Sequence, residues 1–549
     1  MAQQVGGRGA REPDRRAVDT RITGTGSPLL RRERSIHPRG AVMAQLVVCC
    51  DGTWQDLVDD SNACRLARAF VPKSDGQQAR YVPGVGTSGN RLTDLRAGLT
   101  AAGLDGSILD AYGWLAEHFR AGDEISLFGF SRGAYTARSV AGMIGLVGLV
   151  AGADLEESAR NSAVHRAYRR YRDLREHPEN GSWAEGITLA YAPGDPVFPI
   201  EFIGVWDTVG ALGIPAYVGV PDLLHSRERY QFLDVELNPR VRHARHAVSL
   251  DEMRGPFRPT LWDFDPEQDV VQAWFPGDHC DVGGGHRERQ LSDVTLQWMV
   301  DEATRVAGLT FDLTRIEGFA PSPEGRAHGM PTGLTGAAVE IAFQPRPRAV
   351  PRIDPDVPTI DVADATYQRR QRTGYRTTTT LAAVGDRVTT TVYADRAWTD
   401  TGLYLPPGSY RCTATGRWSS FGNETDPGGD PGSWLHLSGE RLSLLAGRIE
   451  GLVRAALNNP EAEVAGTRRD EEASWMCLMG LVANEQTVPV TGATPGKPTI
   501  KVLPDERFPI GEEREITTAR PGYLYAYPND AFGFYGNNSG AVTLTVTRI

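Results

Sequence analysis

The sequence predicts an α/β domain built on a parallel sheet, followed by an all-β domain. Three observations carry this. Short apolar runs alternate with helical patterns from Leu46 to about Asp312. Residues 320–358 are Pro-rich and weakly periodic, and read as a connecting region. From about Thr378 the chain turns to strand-like runs separated by Pro, Gly and Asn. At 549 residues it is also too long for a single core.

Taken in order, "QLVVCCDGTW" is an apolar run that stops at the turn signal Asp51-Gly52. "LDGSILDAYGWLAEHF" sets Ile108, Leu109, Tyr112, Leu115 and Phe119 at helical spacing. "EISLFGF" is a strand, followed by a helix over 134–149. "VFPIEFIGVWDTVG", "RHAVSLDEM" and "VVQAWFPGDHCDVGGG" are three more strand candidates. "SDVTLQWMVDEATRVAGL" is a helix capped by Ser292 and ended by Gly308. Strands alternating with helices imply a parallel sheet covered on both faces. In the second half, "RVTTTVYAD", "GSYRCTATGRWSSFG", "GYLYAYPND" and "AVTLTVTRI" are strands of a β-sandwich. A helical insertion is expected at 438–459. The predicted boundaries are 44–376 and 378–549.

A net charge of −11 argues against nucleic acid, which needs a clustered basic face. Six scattered cysteines build no disulfide framework, and none forms a C-x-x-C pair, which argues against zinc. No apolar run approaches the ~20 residues of a membrane span. Residues 1–43 are rich in Arg, Gly, Ser and Pro, lack the apolar stretch of a secretory signal, and read as a disordered tail. Met43 directly precedes the first strand, so translation starting there is a further expectation. The expected location is cytoplasmic, or exported by a leaderless route.

Gly129-Phe130-Ser131-Arg132-Gly133 is a G-x-S-x-G pentapeptide. In so glycine-rich a chain the bare motif arises by chance ~0.3 times, so its context decides. It lies between a strand and a helix, where the serine of a nucleophile elbow stands. Small residues are needed two before and two after, because strand and helix approach closely. The helix N-terminus favours a developing oxyanion. The N–H of Arg132 supplies one donor, and Gly52 or Thr53, after the first strand, supplies a second. The bland alternative is a glycine-rich turn with a capping serine.

A serine nucleophile needs a base and an orienting acid. His279 follows a strong apolar strand and precedes "DVGGG", where a loop can return an imidazole over the sheet edge. His286, beyond the same glycines, is the other candidate. For the acid, Asp207 ends the apolar strand "EFIGVWD", and a buried carboxylate there demands a partner. Asp251 in "SLDEM" competes.

The blocks "VVCCDGTW", "LFGFSRGAYTAR", "FIGVWDTVGALGIP", "SLDEMRGPFRPTLW", "AWFPGDHCDVGGGH" and "LSDVTLQWMVDEA" together resemble a bacterial and fungal α/β-hydrolase family that includes the phospholipase effectors of type VI secretion. The resemblance covers about 44–376. It implies a triad of Ser131, Asp207 and His279, and lipid-ester cleavage where the effectors are concerned. His286 stands where the family commonly has Tyr.

Near the C-terminus, Asp530 and Asn537-Asn538 place a carboxylate and two amide oxygens between strands. Such hard oxygens suit Ca²⁺, although N-D and N-N-S-G are also ordinary hairpin chemistry. "GSYRCTATGRWSSFGN" with this tail resembles the galactose-binding lectins of the PA-IL type. That resemblance implies calcium held by Asp530, Asn537, Asn538 and the carbonyls of Phe421 and Phe534, with sugar bonded to Asp530 and Asn537. Where the family has an extra sugar-contacting loop, this chain carries Asp/Gly-rich sequence and the helical insertion.

Two functions follow as expectations. One is a serine esterase or lipase, phospholipase-like, with a calcium-dependent carbohydrate-binding module. The other is a lectin-type glycan-binding protein whose α/β domain is catalytically silent.

Overall fold

Apolar runs buried on both faces build the central sheet. The computed structural model of the chain describes residues 43–52, 60–72, 76–84, 101–177, 180, 186–209, 237–330, 333–430, 468–489 and 500–549. The tail (Met43 apart) and the insertion at 438–459 lie outside them. Strands β1 (Gln45–Cys50), β2 (Gln77–Val82) and β3 (Glu124–Phe130) come first, then a small antiparallel ribbon of β4 (Leu149–Val150) and β5 (Leu189–Tyr191). Strands β6 (Ile200–Trp206), β7 (His243–Ser249) and β8 (Asp269–Phe275) complete the sheet. Its order is β2-β1-β3-β6-β7-β8, parallel throughout. The edge strand β2, "QQARYV", carries too few apolar residues to have been legible.

Helices cover both faces. On one, α2 (Ala101–His118), α3 (Arg132–Val147) and α4 (Glu157–Glu176) bury Ile108, Tyr112, Leu115, Val140, Tyr168 and Tyr171. On the other, α1 (Asn62–Ala69) and α6 (Gln290–Ala307) bury Leu66, Met299 and Ala303 against Phe128, Phe130 and Trp206. The short α5 (His279–Gly283) precedes α6. Helix α6 starts ahead of the expected cap. Arg289 is its N-cap residue, while Ser292 sits inside the first turn and its hydroxyl donates to the Arg289 carbonyl. Gly308, at φ +67°, ends the helix as expected. The charge-rich α4 has only a thin apolar stripe and was not foreseen.

The C-terminal part is β-rich and mostly antiparallel. Its strands are β9 (Thr379–Thr380), β10 (Arg387–Tyr393), β11 (Thr399–Leu405), β12 (Gly408–Ser420), β13 (Asn423–Thr425), β14 (Leu478–Ala483), β15 (Gln486–Pro489), β16 (Ile500–Leu503), β17 (Glu506–Pro509), β18 (Glu513–Thr518), β19 (Gly522–Pro528) and β20 (Asn538–Arg548). One sheet runs β10-β20-β12-β13 with β18 also on β12, and another runs β17-β14-β19-β11-β9. Val392, Leu403, Trp418, Leu478, Leu524 and Leu544 fill the core between them.

The Pro-rich connector does more than link. It contributes α7 (Gly333–Phe343), and α8 (Asp364–Thr373) follows it. Val350, Ile353, Val362 and Tyr367 pack into one core with Val248 and Trp274 of the α/β sheet and Met479, Tyr523 and Tyr527 of the β-rich part. Ion pairs cross the same junction: Arg258 to Glu485 at 2.7 Å and Arg346 to Asp505 at 2.8 Å.

Candidate functional site

Ser131 is the residue between the end of β3 and the start of α3. Its backbone sits at φ +57°, ψ −119°, a left-handed conformation that costs a non-glycine residue about 1–3 kcal/mol. Its side chain caps none of the helix N–H groups, so capping does not explain the serine. The flanking glycines are required by close approach. A Cβ on Gly129 would lie 2.4 Å from the Gly133 carbonyl oxygen, and one on Gly133 would lie 2.2 Å from that of Cys50. The end of β1 thus presses directly on the elbow.

His279 opens α5, where Asp278 and Asp281 form a capping box. Its ring packs against Phe130 and Phe257, with centroids 4.6 and 4.9 Å away. Phe130 is the chain neighbour of Ser131. His279 Nδ1 lies 2.6 Å from Asp207 Oδ2. A carboxylate acceptor fixes the proton on Nδ1 and leaves Nε2 as the basic nitrogen.

Asp207 directly follows β6, fully buried, and is itself at φ +34°. Its Oδ1 accepts from the Ser249 N–H at 2.9 Å. Arg348 grips both its oxygens, Nη1 to Oδ1 at 2.8 Å and Nη2 to Oδ2 at 3.0 Å. Burial pushes the Asp207 carboxyl up, but the Arg348 charge and the His279 bond outweigh it and hold it well below the usual carboxylate range. The next residue is fixed too: the Thr208 N–H donates to Nε2 of His246 at 3.1 Å. Burial, helped by Arg138, pushes His246 down to about 3, so it stays neutral there.

Arg348 carries no local sequence signal for this role. It lies in "QPRPRAVPR", and nothing in that pattern ties it to a strand end far upstream.

The alternatives go elsewhere. Asp251 accepts from the Gly277 N–H, the Tyr375 hydroxyl and the Arg376 guanidinium. His286 Nε2 lies 2.9 Å from Asp278 Oδ1, and its ring stacks on His328. Of the oxyanion donors, Arg132 is the first residue of α3, so its N–H points out of the helix end. The Gly52 N–H donates to Asp51 Oδ1 at 2.7 Å. Thr53 lies outside the described residues.

In the β-rich part, Ser420 at the end of β12 pairs with Asn538 at the start of β20. Phe421 follows at φ +51°. Asn538 Nδ2 donates to Asp530 Oδ2 at 2.8 Å and to the Ala394 carbonyl at 3.2 Å. Its Oδ1 is buried and has no hydrogen-bond partner. Asn537 Oδ1 accepts from the Ser420 hydroxyl at 3.3 Å, and the Phe534 carbonyl accepts from the Asn537 N–H. A carboxylate and two amide oxygens, one of them buried and orphaned, form a donor set that fits Ca²⁺.

Residues 44–302 match the family described as phospholipase effector Tle1-like, catalytic domain, of the type VI secretion system. The chain is distantly related to that family. An uncharacterized protein of Saccharomyces cerevisiae is 31% identical over 245 residues, which is 41% of this chain and 34% of the relative. The chain therefore spans about a third of that relative's length. Two solved structures are weakly similar. One is an uncharacterized protein from Pseudomonas aeruginosa, 20% identical, TM-score 0.29, covering 51% of this chain and 49% of that one. The other is an EclA N-terminal domain described as a PllA-like lectin, 18% identical, TM-score 0.17, covering 29% of this chain and 95% of that one. No described helix is long and apolar enough to cross a membrane.

Proposed function

We propose that the chain is a serine ester hydrolase, lipase- or phospholipase-like, that carries a calcium-dependent carbohydrate-binding module. The observation that carries the hydrolase reading is Ser131 itself. It keeps a strained backbone and no capping role, one residue from a phenylalanine that packs on His279. Strain of this kind persists where the surroundings impose it for function. The match to phospholipase catalytic domains supports the same class.

In this reading the Ser131 hydroxyl attacks the ester carbonyl and passes its proton to His279 Nε2. Asp207 holds the imidazole in the required tautomer and stabilises the imidazolium without taking the proton. The Arg132 N–H would donate to the oxyanion. His279 then returns the proton to the leaving alcohol, and water repeats the sequence to release the acid.

Calcium, when bound, would order the loop and polarise sugar hydroxyls. Asp530, Asn537 and Asn538 would hold it by side chains, with the Phe421 and Phe534 carbonyls, and Asp530 and Asn537 would also bond a galactose-type sugar. The module would then raise local ester concentration at a glycosylated surface.

A fluorophosphonate probe tests the hydrolase. Labelling of the wild type at Ser131, lost in Ser131→Ala, is expected together with cleavage of lipid esters. Folded, calcium-loaded protein that takes no label would leave only the glycan-binding role.

A further inference from the structure

Beyond the hydrolase site, two imidazoles lie face to face in a ring of carboxylates. The rings of His286 and His328 stack with centroids 3.7 Å apart and planes 23° apart. Asp281, fully buried, places Oδ1 2.7 Å from His328 Nδ1. Glu288 Oε2 lies 3.4 Å from His328 Nε2, and Asp278 Oδ1 lies 2.9 Å from His286 Nε2. Asp281 and His286 come from α5 and the loop directly behind it, and His328 comes from the stretch after α6.

We infer that Asp281, His286 and His328 form a binding site for one divalent transition-metal ion of the zinc type. One ligand atom from each residue already lies within 4.8 Å of the others. The charges favour a cation. Three carboxylates, Asp278, Asp281 and Glu288, face the two imidazoles; against them stand Arg254, whose charge is felt at Asp278 and His286, and Arg326, which pairs with the exposed Glu288 at 3.9 Å. Neutral imidazoles are ready ligands for such an ion. The ion would replace the proton between His328 Nδ1 and Asp281 Oδ1. His328 Nε2 would then face Glu288, and His286 Nε2 already faces Asp278. Outer carboxylates on metal-bound histidines set ring orientation and raise ligand basicity. Three protein ligands leave a fourth position for water. The absence of a C-x-x-C pair bears only on thiolate sites, and this one is built from imidazole and carboxylate.

Asp281 lies two residues beyond His279 and belongs to the capping box of the same short helix. An ion here would tie His328 to the turn that carries His279. No step of the proposed ester hydrolysis passes through it.

The test uses untagged full-length protein, stripped with a chelator and then saturated with calcium so that any oxygen-ligand site is filled. Expected are one equivalent of Zn²⁺ by titration calorimetry and visible d–d absorption when Co²⁺ is added instead. Loss of a direct ligand should weaken Zn²⁺ by at least the ~10–100-fold that loss of an outer partner costs, so His286→Ala and His328→Ala should each abolish the cobalt spectrum. Circular dichroism in chelator checks folding. If an alanine variant is unfolded, His286→Gln or His328→Gln replaces it, and the same readout decides. No zinc binding and no cobalt absorption by the wild type overturns the inference. So does a cobalt spectrum that survives in the folded variants.

Discussion

Arg348 binds both carboxylate oxygens of Asp207, the residue whose Oδ2 also holds His279 Nδ1. The guanidinium arrives from the connector, and two residues earlier Arg346 pairs with Asp505 of the β-rich part. One short extended stretch thus joins the candidate catalytic acid to the second half of the chain. Both partners are almost wholly buried. Breaking a buried pair by removing one side costs roughly 3–5 kcal/mol, because the other charge is left uncompensated. Arg348→Met should lose stability on this scale in urea unfolding and should also lose turnover, as Asp207 drifts from His279. Unchanged stability would mean that the pair contributes nothing net.

Ser131 separates function from stability. Its left-handed backbone suits glycine better than any residue with a Cβ. Ser131→Gly and Ser131→Ala should both abolish ester hydrolysis, but only the glycine variant relieves strain. We expect Ser131→Gly to be the more stable of the two by about 1 kcal/mol, although glycine's greater unfolded-state freedom takes back part of the gain. A less stable glycine variant would refute the strain argument.

Asp207 and Asp251 should fail in different ways. Asp207→Asn leaves a neutral partner on His279 and should lower turnover by up to about 10⁴-fold with little change in substrate binding. Asp251 is occupied by Tyr375, Arg376 and the Gly277 N–H. Asp251→Asn should therefore weaken folding and leave most of the turnover of the folded protein. Steady-state kinetics beside thermal melts separates the two, and the reverse ranking would move the acid role to Asp251.

His246 sets an acid limit. Folded, its pKa is pushed down to about 3; unfolded, it returns to about 6.5. The unfolded chain therefore takes up a proton more readily as pH falls. The contribution is complete above about pH 6.5 and is lost progressively on acidification towards pH 3. Wild-type stability should slope downward over that window, and His246→Gln, which can still accept from the Thr208 N–H, should flatten the slope. Equal slopes in urea titrations at pH 7, 6, 5 and 4 would show that other groups dominate.

Most strands of the α/β sheet were legible because buried parallel strands are continuous apolar runs, as "EISLFGF" and "EFIGVW" are. β2 and α4 were not, since an edge strand and a charge-rich helix carry weak periodicity. The tight strand-to-helix turn at Ser131 was legible through Gly129 and Gly133, whose small size the packing demands. Arg348 was not, because a bidentate contact made across the fold leaves no local spacing to read. The stacking of His286 on His328 was invisible for the same reason, with the whole of α6 and the segment after it between them in sequence.

Asn538 offers a way to test calcium at one atom. Both hydrogens of its Nδ2 are committed, to Asp530 and to the Ala394 carbonyl, and its Oδ1 is buried with no partner. An unsatisfied buried acceptor costs about 1–3 kcal/mol. A bound Ca²⁺ would supply the missing partner, so calcium should raise the melting temperature of the full-length protein in a concentration-dependent way. Asp530→Ala removes the anionic ligand and should erase that shift, together with retention on galactose-type resin. Hydrolysis of a small soluble ester should barely change, because Ser131, His279 and Asp207 lie in the α/β part of the chain. Asn538→Asp sharpens the test. It loses the Nδ2 donor and sets a second carboxylate beside Asp530, which is repulsive without metal and favourable with it. This variant should melt below wild type in chelator and gain more than wild type from calcium. A wild type that shows no calcium-dependent shift, or an Asn538→Asp variant that calcium does not rescue, would reduce the loop to a hairpin turn held by the Asn538–Asp530 bond.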